Sequence, residues 1–268
     1  MLCLLACLLA VAACSRLSPP VAPAGMPGPA SIAGDGFEHR VDLQGAVRAA
    51  PRLHVYLEGD GRPFATRHVP AQDPTPRRRL ARELMTLDPA PALYLGRPCY
   101  DGQASAPGCT TTLWTGARYG EAVVRSMAAA LTRLRGTHGF DEVTLIGYSG
   151  GGTLAMLLAE RLPYVTRVVT VAGNLDLDAW AALHRYTPLS TSLNPARRPP
   201  LRPTIGQWHY AGDADAVVPP ALLRAALGEH GNTRGNTRIR VLPGVAHADG
   251  WRDRWPALLA EFAASPVP

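Results

Sequence analysis

One stretch constrains the chain more than any other: Val143-Thr144-Leu145-Ile146-Gly147-Tyr148-Ser149-Gly150-Gly151-Gly152. An apolar, β-branched run leads into a serine flanked by glycines, and an alanine- and leucine-rich helical pattern follows. The expected order is a strand, a very tight turn with Ser149 at its apex, then a helix. Such a turn strains the serine backbone and lifts the hydroxyl clear of the sheet edge. Gly147 and Gly151 stand two residues either side, where a Cβ would crowd the turn. The Gly150 N–H opens the helix, where unpaired donors and the helix dipole favour a developing oxyanion. An ordinary turn with a capping serine uses the same residue types, so what lies downstream decides the reading.

Seven strands are expected, at 37–43, 52–58, 92–96, 142–147, 165–172, 205–211 and 237–242. Several are continuous apolar runs, as in a sheet covered on both faces. Helical periodicity marks 117–135, with Gly136 placed to end it, and also 150–161, 219–229 and 255–264. Alternating strand and helix argue an α/β fold with a mostly parallel sheet and helices on both faces. Residues 174–203 are proline-rich and weakly periodic, long enough for a small insertion but short for a cap domain.

At this point the chain resembles the α/β-hydrolase superfamily of serine hydrolases over about residues 37–265. The resemblance implies a serine nucleophile, an acid and a histidine, in that order along the chain, each on a loop at the C-terminal sheet edge. Tyr210-Ala211-Gly212-Asp213-Ala214-Asp215-Ala216-Val217-Val218-Pro219 resembles the family pattern Gly-x-x-Asp-x-x-Val-Pro, which assigns the acid to Asp215. Asp213 is the rival, with a turn role as its alternative; Asp176 and Asp178 are remoter. Among eight histidines, His247 follows the last strand and precedes the terminal helix, the family position for the base. His209, inside a strand, reads as a core residue. The resemblance places the oxyanion donors at the N–H groups of Gly150 and Asp60, the latter in Glu58-Gly59-Asp60-Gly61, where many relatives carry His-Gly-x. Trp114 and Tyr148 are candidates to line the acyl pocket; Trp114 has packing under the loop beside it as its alternative.

Composition narrows the partners. All 27 basic residues are arginine, so no phosphate-loop lysine, Schiff base or Ser–Lys dyad is available. The net charge of +6 is dispersed. Its one run, Arg77-Arg78-Arg79, reads as a solvated helix face, not a nucleic-acid site. Neither a metal nor a cofactor is expected, and the substrate class is a small-molecule ester or acyl compound.

Residues 2–14 form an apolar run shorter than the about 20 residues a bilayer span needs, and read as the core of a secretory signal. Val11-Ala12-Ala13-Cys14 resembles the lipobox of bacterial lipoproteins, which implies lipid on Cys14. Ser15, in place of the aspartate that retains lipoproteins at the inner membrane, then implies the outer membrane. The expected organisation is a signal over 1–14, a Pro/Ala-rich tether over 15–36 and a hydrolase domain over 37–268. With the signal removed, Cys99 and Cys109 remain as a pair that reads as a disulfide in an exported chain. The reading is an exported, lipid-anchored serine esterase. A peptidase or acyltransferase with the same three residues, and a non-catalytic binding lipoprotein on the same scaffold, are its alternatives.

Overall fold

Among the described residues the chain makes eight strands, several of them runs rich in Val, Leu and Ile, whose β-branched and apolar side chains suit a pleated surface buried on both faces. The computed structural model describes residues 30–228 and 236–265. The strands are β1 (Ala30–Ala33), β2 (Glu38–Gln44), β3 (Arg52–Leu57), β4 (Ala92–Leu95), β5 (Glu142–Tyr148), β6 (Val165–Val171), β7 (Gly206–Gly212) and β8 (Thr237–Leu242). They form one sheet in the order β1-β2-β4-β3-β5-β6-β7-β8. The pairs from β4 to β8 are parallel, while β1–β2 and β2–β4 are antiparallel. This is the α/β-hydrolase architecture.

Among the described residues six α-helices cover the sheet: α1 (Leu80–Met85), α2 (Glu121–His138), α3 (Gly150–Arg161), α4 (Leu177–His184), α5 (Pro220–Leu227) and α6 (Trp251–Ala264). Strand alternation divides the apolar residues between two cores. Leu53, Val55 and Leu57 of β3 and Val143 and Leu145 of β5 pack with Val124, Met127 and Leu131 of α2 and Leu154 and Leu158 of α3. Tyr56 and Ile146 point the other way, to Leu80 and Leu84 of α1 and Trp251, Trp255 and Phe262 of α6. Truncating a buried Leu or Met of the first layer to alanine should cost about 2–5 kcal/mol, and a buried Trp or Phe of the second about 3–5 kcal/mol.

Several expectations need correction. Residues 30–36 fall in the expected tether, but Ala30–Ala33 pair with β2 as an edge strand, since an open strand edge offers unpaired N–H and C=O groups to any nearby chain. Residues 1–29, with the expected signal, Cys14 and most of the tether, lie outside the described residues. Arg77–Arg79 are not helical; α1 starts after them, at Leu80. The helix expected at 117–135 runs from Glu121 to His138. Exposed Gly136 stays inside it, at a cost of about 1 kcal/mol relative to alanine, and the left-handed Gly139 (φ 69°) ends it. Helix α6 starts a turn before residue 255, because the Trp251 ring is fully buried and its indole N–H bonds the Ala246 and His247 carbonyls. The weakly periodic stretch after β6 contains α4, capped by the Asp176 side chain.

Candidate active site

The turn after β5 has the strain its sequence implied. Ser149 adopts φ 51° and ψ −118°, a region non-glycine residues rarely occupy. Its main chain is held on several sides: Ser149 N–H donates to Val171 O (2.9 Å), and Ser149 O accepts from Gly152 N–H (2.9 Å) and Asn174 N–H (3.2 Å). A Cβ on Gly147 would collide with the Gly151 carbonyl, so the turn closes only with glycine there.

The C-terminal ends of three parallel strands bring three side chains together. Ser149 follows β5, Asp215 lies just past β7, and His247 lies past β8. His247 Nε2 is 3.0 Å from Ser149 Oγ, and His247 Nδ1 is 2.8 Å from Asp215 Oδ2. The Asp215 side chain is fully buried, and its Oδ1 accepts N–H bonds from Val217 and Val218 (both 2.8 Å). These bonds fix the carboxylate, which in turn fixes the imidazole. The His247 loop is held from below by the Trp251 indole, and from outside by Arg78, which bonds Asp249 Oδ1 at 2.9 Å. A serine hydroxyl on an imidazole backed by a buried carboxylate has the parts needed to lose its proton to the ring and attack an electrophile.

The rival carboxylates are engaged elsewhere. Asp213 accepts the Gly244 N–H (2.7 Å) in a turn. Asp176 accepts the Asp178 and Ala179 N–H groups, and Asp178 pairs with Asn194 and Arg197. His209 is buried on Thr170 Oγ1 (2.9 Å), and burial pushes its pKa down to about 3. A second histidine–carboxylate pair, His54 Nδ1 on Asp88 Oδ2 (2.6 Å), shares that oxygen with the Tyr56 hydroxyl and belongs to the core.

The loop after β3 lies against the serine. A Cβ on Gly59 would touch Ser149 Cβ and the Tyr148 ring at 3.3 Å. The N–H groups of Asp60 and Gly150 have no protein acceptor among the described residues. Glu58, just past this strand, is buried; its Oε1 accepts from Gly59 N–H (3.2 Å) and Ala81 N–H (3.3 Å), and its Oε2 has no partner among the described residues. Burial raises its carboxyl to about 7, against the lowering effect of those backbone bonds and Arg79.

Of the two pocket candidates, Tyr148 borders the site, its ring centroid 5.3 Å from that of His247. Trp114 follows the packing alternative. It is buried with Cys99 and Tyr100, and its indole N–H is bonded to Ala71 O at 3.0 Å, so it packs under the disulfide loop. Cys99 and Cys109 are bridged. No cluster of three or more metal-ligating side chains occurs among the described residues.

Sequence reading overlooks Arg97, Arg118 and Tyr119, which converge on Asp60. Arg97 and Arg118 donate to its two carboxylate oxygens at 2.7 and 2.9 Å, and the Tyr119 hydroxyl also bonds it. The only signal is two arginines flanked by apolar and aromatic residues, which does not identify a partner.

Comparison with known proteins agrees with this architecture. The sequence pattern of the dienelactone hydrolase family matches residues 89–253, more than half of the chain. No curated protein matches the sequence. Among solved structures, an esterase from Pyrococcus furiosus superposes with a TM-score of 0.61 at 12% identity, over 87% of this chain and 89% of that one. An α/β serine hydrolase without a lid from Xanthomonas campestris gives 0.54 at 16%, over 92% and 100%. An α/β serine hydrolase homologue from Coxiella burnetii gives 0.53 at 14%, over 90% and 97%. Identities this low speak for the fold. The match over 89–253 carries the assignment: this chain is a hydrolase belonging to the dienelactone hydrolase family.

Proposed function

We propose that the protein is a serine esterase acting on small-molecule carboxylic esters. Ser149 Oγ attacks the ester carbonyl as His247 Nε2 takes the serine proton. The resulting oxyanion is held by the Asp60 and Gly150 N–H groups. His247 then gives the proton to the departing alcohol, leaving an acyl-Ser149 ester. Water, deprotonated by the same imidazole, releases the acid and restores the serine. Asp215 keeps the ring in the tautomer that presents Nε2 to Ser149 and stabilises the imidazolium. Tyr148 borders the acyl side.

The observation that carries this reading is the single imidazole bonded on one nitrogen to Ser149 and on the other to buried Asp215. Its test is covalent labelling by a fluorophosphonate, followed by turnover of nitrophenyl esters from acetate to palmitate. Labelling at Ser149 and hydrolysis of at least one ester are expected. A protein that does neither is not a serine esterase.

For its location, we propose an exported lipoprotein anchored through Cys14 to the outer membrane, facing the periplasm. The Cys99–Cys109 bridge supports export, since disulfides persist in oxidising compartments. Cells fed radioactive palmitate should label the wild type and not Cys14→Ala; equal labelling would reject the anchor.

A further inference from the structure

The loop bearing Asp60 is held by an unusual amount of buried charge. Arg97 and Arg118 are 2% and 5% exposed, yet both direct guanidinium N–H groups to this one residue and its surroundings. Arg97 Nη1 bonds Asp60 Oδ1 (2.7 Å) and Gly59 O (3.3 Å), and its Nη2 bonds Arg118 O (2.6 Å). Arg118 Nη1 bonds Asp60 Oδ2 (2.9 Å), and its Nε bonds Thr115 O (2.7 Å). The Tyr119 hydroxyl donates to Asp60 Oδ1, and the Tyr100 hydroxyl donates to Asp60 O at 2.9 Å. The Arg97 guanidinium lies over the rings of Tyr100 (5.1 Å) and Tyr119 (5.2 Å). Side chain and carbonyl of Asp60 are thus both pinned, while its N–H is left without a protein acceptor among the described residues.

Stability alone is a poor reason for such a cluster. Burying ionised groups costs several kcal/mol per ion, which pairing offsets only in good geometry, and apolar replacements are often neutral or better. Its position is more informative. The Asp60 carboxylate and Tyr119 hydroxyl occupy the space where a Cβ on Gly150 would fall, so they back directly onto the start of α3, beside the Gly150 N–H. A lone carboxylate there would oppose a developing oxyanion. Here two guanidinium groups face it, and the local charge is positive.

We propose that Arg97, Arg118, Tyr119 and Tyr100 form a positioning clamp that aims the Asp60 N–H at the oxyanion and cancels the Asp60 carboxylate beside it. This rests on the oxyanion role given to Asp60 above. Burial pushes the Asp60 carboxyl up, but Arg118, Arg97 and Tyr119 together outweigh it and hold the pKa at about 2, so the clamp stays ionised across the neutral range. The Cys99–Cys109 bridge braces the same structure, because Cys99 sits between Arg97 and Tyr100.

The test compares wild type, Arg118→Met, Arg118→Lys and Tyr100→Phe, with active sites counted by fluorophosphonate so that misfolded protein does not enter the rates. A group that aims an oxyanion donor acts in the transition state. Its loss should therefore lower kcat and leave KM nearly unchanged. Deleting a donor outright costs about 10²–10³ in kcat, so disturbing its aim should cost about tenfold or more in Arg118→Met. A trifluoromethyl ketone, which forms a tetrahedral oxyanion on the serine, should lose affinity in proportion to kcat. Arg118→Lys should recover part of both. Tyr100→Phe, which removes one hydroxyl, should lower kcat about threefold or more, and it decides the matter alone if Arg118→Met does not fold. Variants whose kcat per titrated site stays within about twofold of wild type would overturn the clamp while leaving the esterase reading intact. A wild type that neither labels nor hydrolyses would overturn both.

Discussion

Asp213 and Asp215 stand two residues apart on one loop and serve different partners. Asp215 is buried and bonds His247 Nδ1 at 2.8 Å, whereas Asp213 is exposed and accepts Gly244 N–H at 2.7 Å. Asn in place of Asp215 presents an amide where the ring needs an acceptor, and the wrong tautomer of His247 follows. We expect Asp215→Asn to lower kcat by up to about 10⁴, and Asp213→Asn to stay within about threefold, since it leaves a carbonyl oxygen for Gly244. Steady-state kinetics of the two variants checks this; a larger loss in Asp213→Asn would reassign the acid.

Ser149 combines the proposed nucleophile with a strained backbone. Ser149→Ala and Ser149→Gly should both lose esterase activity by several orders of magnitude, since the three residues act as a unit. Only glycine tolerates φ 51° with ψ −118° without strain. Ser149→Gly should therefore melt higher than Ser149→Ala, by the equivalent of about 1–3 kcal/mol. Thermal denaturation compares them directly. Equal melting temperatures would mean that the turn stores no strain.

Glu58 makes stability depend on pH. Its carboxyl is raised to about 7 in the folded chain, chiefly by burial, above the ordinary glutamate range. Between those values the folded state binds more proton than the unfolded one, so its contribution is fully present below about pH 4 and is lost as pH rises through 7. A tenfold change in proton affinity between the two states corresponds to about 1.4 kcal/mol, which bounds the effect at about 3.5 kcal/mol. Glu58→Gln keeps an acceptor for Gly59 and Ala81 and removes the titration. Its stability relative to wild type should rise from pH 5 to pH 8 in denaturant titrations. Parallel pH profiles would show that Glu58 is not the group responsible.

The Cys99–Cys109 bridge closes a short loop that carries Tyr100. Cross-links of this kind restrict the unfolded chain and are worth about 2–4 kcal/mol. Reduction should lower the melting temperature. It should also slow ester turnover, because Tyr100 holds the Asp60 carbonyl. Thiol titration of the denatured, unreduced protein should find neither Cys99 nor Cys109 reactive.

Much of the fold was legible in the chain because its determinants are local. The run 142–152 specifies strand, turn and helix within a few residues: apolar β-branched side chains for β5, glycines where a Cβ collides, and a helix-forming pattern after Ser149. The strands at 52–57, 165–171 and 237–242 were equally plain, being short apolar or alternating runs. The order Ser149, Asp215, His247 could also be read, since it is a property of the chain and not of space. Where elements stop was less legible: Gly136 and Gly139 are the same residue to the sequence, and only the left-handed backbone of Gly139 ends α2.

Relationships between distant residues come from packing alone. His247 and Ser149 are 98 residues apart, and Asp60 and Arg97 are 37 apart. Neither periodicity nor propensity acts over such separations; only the stacking of parallel strands brings their C-terminal ends to one edge. The same packing seats Trp114 under the disulfide loop, against Ala71 O. It also adds β1 to the free edge of β2. Each depends on which surface is left open once the sheet has formed. Local sequence is enough to say which residue stands at the apex of the turn and in what order its partners follow. Tertiary packing decided which carboxylate reaches the histidine, and which arginines surround Asp60, because a buried charge takes its partner from whatever the fold brings within hydrogen-bond reach.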